Sequence, residues 1–349
     1  MDLYRPRDTS GLKPILYFHA MAHLGIEGLV IVEPSDRFVS VGFFDDTAKI
    51  VDLDRCHALG LPVMRREVGG GAVLLGPGQV FYHLVMQRGS HGIPVQVDEA
   101  YKVLSIPPIE TYAHFGVEAR YRPINDLITP EGRKISGQGA ADIGKCFVFV
   151  GSILRHFDVA TMTQVLRVPD EKFRDKIFKT MDENMSWLER ESQARPTSRE
   201  VGDVLAASFG RLLGPLHEKV LPPEAITLAE QLGGEFTSDE FLFEETPRRH
   251  EAIKIREGVY LRQGMHKARG GLIWAEVEVA EDRIAALKIG GDFTFIPKGD
   301  FAPLQDHLIG APFEVETVAS SIARFMAERA VETPGVLPCD FAQAIVGQG

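Results

Sequence analysis

Residues 65–79, RREVGGGAVLLGPGQ, decide how this chain is read. Two arginines lead into three consecutive glycines, Gly69, Gly70 and Gly71, and then into the apolar residues Ala72 to Leu75. A glycine run has no Cβ to hold a ligand away from the backbone. Its successive N–H groups can form an anion-binding concavity. Arg65 and Arg66 can add charge-assisted bonds to phosphate or carboxylate. If the strand alternates, only one of the pair faces the site, and we assign that place to Arg66. Taken alone, the run is explained equally well by a tight turn beside a surface arginine pair.

A second stretch, residues 125–139, reads NDLITPEGRKISGQG. Lys134 lies between a turn at Glu131 and Gly132 and a segment, Ser136 and Gly137, that the composition predicts to be flexible. A lysine there places a point charge against a developing anion; the plainer alternative is a solvated hairpin lysine. Asn125 and Asp126 suit magnesium or ribose contacts, or simply a strand-entry turn.

Around these stretches the chain has 349 residues, enough for two domains. A net charge of -11 argues against general nucleic-acid binding. Cys56, Cys146 and Cys339 are odd in number and widely spaced, which fits a reducing compartment and no disulfide framework. The N-terminal residues lack the apolar run of a secretion signal, and no segment has the length of a membrane span. The expectation is a cytoplasmic protein acting on neither nucleic acid nor membrane.

Apolar spacing predicts helices over residues 14–27, 51–59, 171–187, 199–213 and 224–232. A further helix over 97–115 should break or kink at Pro107 and Pro108. Strands are expected at 29–32, 38–41, 63–68, 80–86, 124–128 and 146–154, with a polar, glycine-rich connection between the last two. Beyond a boundary near residues 244–250 (EETPRRH), segments 258–264, 272–279 and 284–289 alternate like antiparallel strands. Helices follow at 301–308 and 318–330. The fold class is α+β, with mixed or antiparallel sheets flanked by helices and a small α/β accessory domain. The expected domains are residues 1–246 and 247–349.

Other motifs are weak. GAADIGKC, residues 139–146, has P-loop spacing, but cysteine stands where Ser or Thr should hold magnesium, and a strand follows instead of a helix. This makes Lys145 a loop lysine. His19 and His23 share a helix face without a third metal ligand. Cys146 lies in an apolar β-segment, where cysteines are usually inert.

The two glycine-bearing stretches, in this order, resemble the lipoate–protein ligase family, with its biotin/lipoate ligase fold. Residues 38–42 resemble its first short strand. Residues 53–68 resemble its helix, turn and arginine-bearing strand. Residues 69–73 are similar to its glycine loop, NDL and GRKISG to its second motif, and GSIL at 151–154 to the strand after it. Residues 258–310, with Trp274, resemble the accessory domain of many members. The resemblance implies that lipoate or octanoate attacks ATP, giving an acyl-adenylate, and that the acyl group passes to a lysine of a lipoyl-domain or glycine-cleavage H-like acceptor protein. It implies Lys134 as the catalytic residue. ATP and acyl-AMP contacts would come from Arg66, Gly69, Gly70, Gly71, Ala72, Asn125, Asp126, Ser136 and Gly137, with Asp126 as a Mg2+ ligand. An apolar slot for the chain would include Val68, Val73, Leu75 and Val150.

The sequence departs from the family pattern at four places. Val68 replaces Ser or Thr, Leu75 and Val150 each replace a histidine, and Gln138–Gly139 replaces Ser–Ala. GPGQ at 76–79 is similar to the octanoyltransferases, which use a cysteine thioester and no ATP. Their cysteine falls elsewhere than Cys56, Cys146 and Cys339. Two alternatives therefore stand beside the ligase: a cysteine transferase and a non-catalytic lipoyl-binding homologue.

Overall fold

In the computed structural model, which describes residues 1–168, 171–243 and 259–347, the chain forms two compact units. The first comprises Met1–Val41, Thr47–Glu67 and Ala72–Leu242. The second gathers two short excursions, Gly42–Asp46 and Val68–Gly71, with the chain from Phe243 onward. The boundary expected at residues 244–250 lies outside the described residues.

The first unit contains β1 (Asp2–Tyr4), β2 (Gly28–Val32), β3 (Phe38–Val41), β4 (Val63–Arg65), β5 (Val73–Leu75), β6 (Gln79–Met86), β7 (Arg120–Arg122), β8 (Asp126–Ile128), β9 (Lys134–Ile143), β10 (Cys146–Leu154) and β11 (His217–Lys219). Eight of them form one mixed sheet in the order β11-β1-β2-β6-β10-β9-β8-β7. Its centre is β6 paired antiparallel with β10, in a register running from Phe147 opposite Met86 to Leu154 opposite Gln79. Every residue of β6 is buried, as a central strand covered on both faces requires. Neighbouring residues point to opposite faces, so His83 meets Phe18 of the helix Lys13–Leu24 and Tyr82 meets Phe209 of the helix Ser198–Leu213. A small sheet, β4-β3-β5, closes over its own apolar cluster, which includes Val39, Val41, Leu74 and Met162.

The α+β class follows directly from this topology. Particular elements depart from the sequence expectation. The helix expected over 97–115 is two helices, Val97–Leu104 and Ile106–His114. The break falls at Ser105, so both prolines sit in the first turn of the second helix, where no backbone donor is needed. The strand expected over 63–68 stops at Arg65. The connection expected between residues 128 and 146 is instead the ten-residue strand β9. Its polar letters disguised it. Ser136 and Gln138 are buried but hydrogen-bonded, Ser136 Oγ to Ser152 O at 2.7 Å and Gln138 to Ser105 and Tyr82. Buried polar groups with partners carry little penalty.

The second unit has an antiparallel meander of β12 (Val259–Ala268), β13 (Gly271–Ala280) and β14 (Arg283–Gly291), with helices Phe301–Leu308, Val315–Glu328 and Pro338–Val346. The last helix was not expected. The core includes Ile273, Val277, Ile289, Phe293 and Phe341, and it also takes Phe44 from the first excursion. The second excursion joins this unit through Gly70 N–H, which donates to Phe293 O at 3.3 Å.

Candidate functional site

Lys134 opens β9, and its backbone is held on both sides. Its carbonyl accepts from Ser186 N–H at 2.8 Å, and Ile128 is its partner in β8. Its half-exposed Nζ lies 2.7 Å from Asp126 Oδ1, while Asp126 Oδ2 accepts from Arg122 at 2.7 Å. Burial alone would raise the Asp126 carboxyl, but the charge of Lys134 and the bond from Arg122 outweigh it and hold the carboxyl below its ordinary value. Asp126 is therefore an anion bound by two cations. The Lys134 side chain folds over Gly137, with Nζ 3.2 Å from where a Cβ would stand, so a larger residue there would push the ammonium aside by a few tenths of an ångström.

Lys134 also lines a cavity of about 470 Å³, whose lining is mostly apolar. Ile177, Met181 and Met185 supply apolar walls, and Arg122, Lys134 and Lys176 are the cations. Of these, sequence reasoning found only Lys134. Arg122 was legible as an opposite charge four residues before Asp126, whereas Met181 and Met185 carry no local signal.

The other expected residues fall in several places. Asn125 holds β9, with Nδ2 donating to Gln138 O at 2.9 Å and its own carbonyl accepting from Gln138 N–H. Ser136, expected in a flexible segment, is fully buried with its hydroxyl bonded inside the sheet. Both arginines are buried: Arg65 reaches Thr47 Oγ1 and Leu242 O, and Arg66 donates to Ser40 O at 2.9 Å. Gly69, Gly70 and Gly71 belong to the second unit. There a Cβ on Gly69 would stand 2.4 Å from Phe293 O, and Gly70 has φ 94°. Local packing thus demands two of the three glycines before any ligand is considered.

Val68 is buried in the second unit. In the first unit, Ala72 packs beside the small-sheet cluster. Val73 and Leu75 flank the buried Leu74 on β5, and half-buried Val150 lies on β10 directly opposite His83. The structure therefore does not gather Val68, Val73, Leu75 and Val150 in one element or one unit. Lys145 sits in the turn between β9 and β10, as expected of a loop lysine. His19 and His23 both hold Glu67: His19 Nε2 accepts from Glu67 N–H at 3.2 Å, and His23 Nε2 pairs with the carboxylate at 2.7 Å.

The donor set does not fit a resident divalent cation. Asp126 faces two cations, and among the described residues no group of three His, Cys, Asp or Glu side chains could hold a metal. The thiols are also poorly placed for nucleophilic work. Burial, with Asp52 nearby, pushes Cys56 up to about 11, and burial also raises Cys146. Cys146 lies opposite Ile143, at the far end of β9 from Lys134, about 30 Å away at strand rise. Cys339 is exposed in the second unit.

The family described as the lipoyl protein ligase A/B catalytic domain matches residues 17–210. The chain belongs to this family. Among curated relatives, octanoyltransferase LipM of Kyrpidia tusciae is 29% identical over 225 residues, 58% of this chain and 82% of that protein. Lipoate-protein ligase A subunit 1 of Thermoplasma acidophilum is 28% identical over 185 residues, 50% of this chain and 64% of that protein. P. falciparum LipL1, solved in complex with lipoate, superposes with TM-score 0.64 at 15% identity over 95% of both chains. A structure from the T. acidophilum lipoylation system, a bi-partite lipoate protein ligase and its E2 lipoyl domain, gives TM-score 0.60 at 24% identity, covering 69% of this chain and 94% of that one. These likenesses place the fold in the lipoate ligase group. The chain is an enzyme of the lipoate ligase and octanoyltransferase family. Among the described residues, no helix is long and apolar enough to cross a membrane.

Proposed function

We propose that this chain is an ATP-dependent ligase for lipoate or octanoate. The carboxylate attacks the α-phosphorus of ATP and pyrophosphate leaves. A lysine amine of a lipoyl-domain or glycine-cleavage H-like acceptor then attacks the acyl carbonyl, AMP leaves, and an amide forms. The cavity beside Lys134 carries this reading. Apolar walls suit a nucleobase, and Lys134, Arg122 and Lys176 suit the phosphates. Lys134 would stabilise the charge that grows on phosphate and carbonyl oxygens. Asp126 holds the ammonium in place, so little reorganisation is needed as the charge develops. Magnesium would enter with the triphosphate as its counterion.

The curated octanoyltransferase relatives favour a second reading, acyl transfer through a cysteine thioester without ATP. The buried, raised thiols of Cys56 and Cys146 oppose it. Pyrophosphate release with ATP, magnesium and either acid, followed by the intact mass of a lipoyl-domain acceptor, separates the two. Acid-dependent pyrophosphate and an acylated acceptor are expected. Acylation from octanoyl-carrier protein alone, abolished by replacing one cysteine, would establish the transferase.

A further inference from the structure

His83 is used by neither reading. It sits on β6, directly opposite Val150 of β10, which is directly opposite Gly139 of β9. Opposed residues share a sheet face, and Gly137, two residues along β9, shares it as well. Tyr82, Gly151 and Gln138 form the neighbouring row on the other face, where Gln138 bonds Tyr82. On the His83 face β10 contributes Val150 and the small Ser152, and β9 contributes Gly139 and Gly137, neither of which carries a Cβ, so the floor is low. Lys134 folds over one end, at Gly137. His83 stands at the other, about 12 Å away from strand spacing and rise, the span of an extended octanoyl or lipoyl chain.

The inner end is built from Phe18 and Phe81, whose rings lie 4.6 and 5.3 Å from the imidazole. His83 is only 4% exposed, and its buried Nδ1 has no hydrogen-bond partner. Burial, with His19 nearby, pushes its basicity down to about 3, so the ring is neutral at working pH. An unpartnered buried ring nitrogen is costly unless something completes it.

We propose that His83 is a specificity-determining residue that reads the far end of the acyl chain and favours the dithiolane of lipoate over the methyl end of octanoate. In the tautomer with its proton on Nδ1, the ring donates to a ring sulfur, a weak acceptor that a methyl cannot replace. Phe18 and Phe81 add the sulfur–aromatic contacts that a polarizable atom gains. The inference rests on the ligase reading.

The test measures kcat/KM for lipoate and octanoate, by pyrophosphate release, in the unaltered protein, His83→Leu and His83→Asn. His83→Leu should lower the lipoate-to-octanoate ratio about tenfold, the factor of one weak hydrogen bond. His83→Asn keeps a donor and should restore part of the ratio. An equal loss for both acids would overturn the proposal. As a measurement that needs no variant, ¹⁵N-histidine NMR of the unaltered protein should show the His83 ring nitrogen shifting with lipoate but not with octanoate; identical shifts would also overturn it. If the unaltered protein releases no pyrophosphate with either acid, the ligase reading fails and takes this inference with it.

Discussion

At the scale of single residues, Lys134 and Asp126 separate catalysis from stability. The lysine is half-exposed, and such ion pairs contribute about 0–1 kcal/mol. Lys134→Ala should therefore move the unfolding midpoint little, while turnover falls about 10²–10³-fold, as when one donor to a developing oxyanion is removed. Turnover near the parent's would take Lys134 out of the mechanism. The pH dependence has a definite sign. The folded Asp126 carboxyl titrates below its ordinary 3.8, so its contribution is complete above that value and lost as pH falls through the lower, folded one. The stability gap between Asp126→Asn and the parent should be flat from neutrality to about pH 4 and should narrow below it. A gap that closes between pH 7 and 5 would show that another group titrates. The thiols give a third residue-scale test. Native protein treated with iodoacetamide at neutral pH should be alkylated at exposed Cys339 before buried Cys56 and Cys146, because the thiolate is the reactive form. Ligase activity should survive that first modification.

At the scale of elements, Tyr112 ties a helix to the two strands that carry the site. Its hydroxyl donates to Ile135 O at 2.7 Å and accepts from Leu154 N–H at 2.9 Å, with the ring fully buried. Tyr112→Phe would leave both backbone groups unsatisfied, at about 1–3 kcal/mol each. Urea unfolding should report a loss in that range or above it; a variant as stable as the parent would mean that water replaces the hydroxyl. The same elements show what the sequence could and could not disclose. β10 and the helix Phe301–Leu308 were legible to the residue because their apolar runs are bounded by turn or polar residues. β9 was not, because partners for Ser136 and Gln138 come from Ser152, Ser105 and Tyr82, far away in sequence. Lys134 was found from its motif. The apolar wall of its cavity comes from the helix Glu171–Asn184 and Met185, whose approach is a tertiary fact. Ser136 follows β9 in this: its hydroxyl is polar but buried, because Ser152 O accepts from it.

At the scale of the whole molecule, the chain does not complete one unit before starting the next. Gly42–Asp46 and Val68–Gly71 join the second unit, each shortly after a strand of the small sheet, β3 or β4, that belongs wholly to the first. Phe44 anchors the first of them: it stacks on Phe293 at 5.5 Å, meets Phe301 edge-on at 4.8 Å, and is 2% exposed. A large aromatic buried to that degree contributes about 1.5–3 kcal/mol. The second unit is therefore not an appendage that can be removed at a single point in sequence. A chain ended after Leu242 would keep both excursions but lose Phe293, Phe301 and the carbonyl that accepts from Gly70 N–H. Phe44 would then face water, and the glycine-rich segment would lose the Gly70 bond to Phe293 O. Such a protein should be poorly soluble and should unfold with a lower midpoint and a shallower transition than the full chain, as followed by circular dichroism and light scattering. Phe44→Ala in the full chain should reproduce part of that loss, about 3–5 kcal/mol for a truncated core aromatic. A soluble fragment with a sharp transition at the parent's midpoint would show instead that the first unit folds without the excursions' partners.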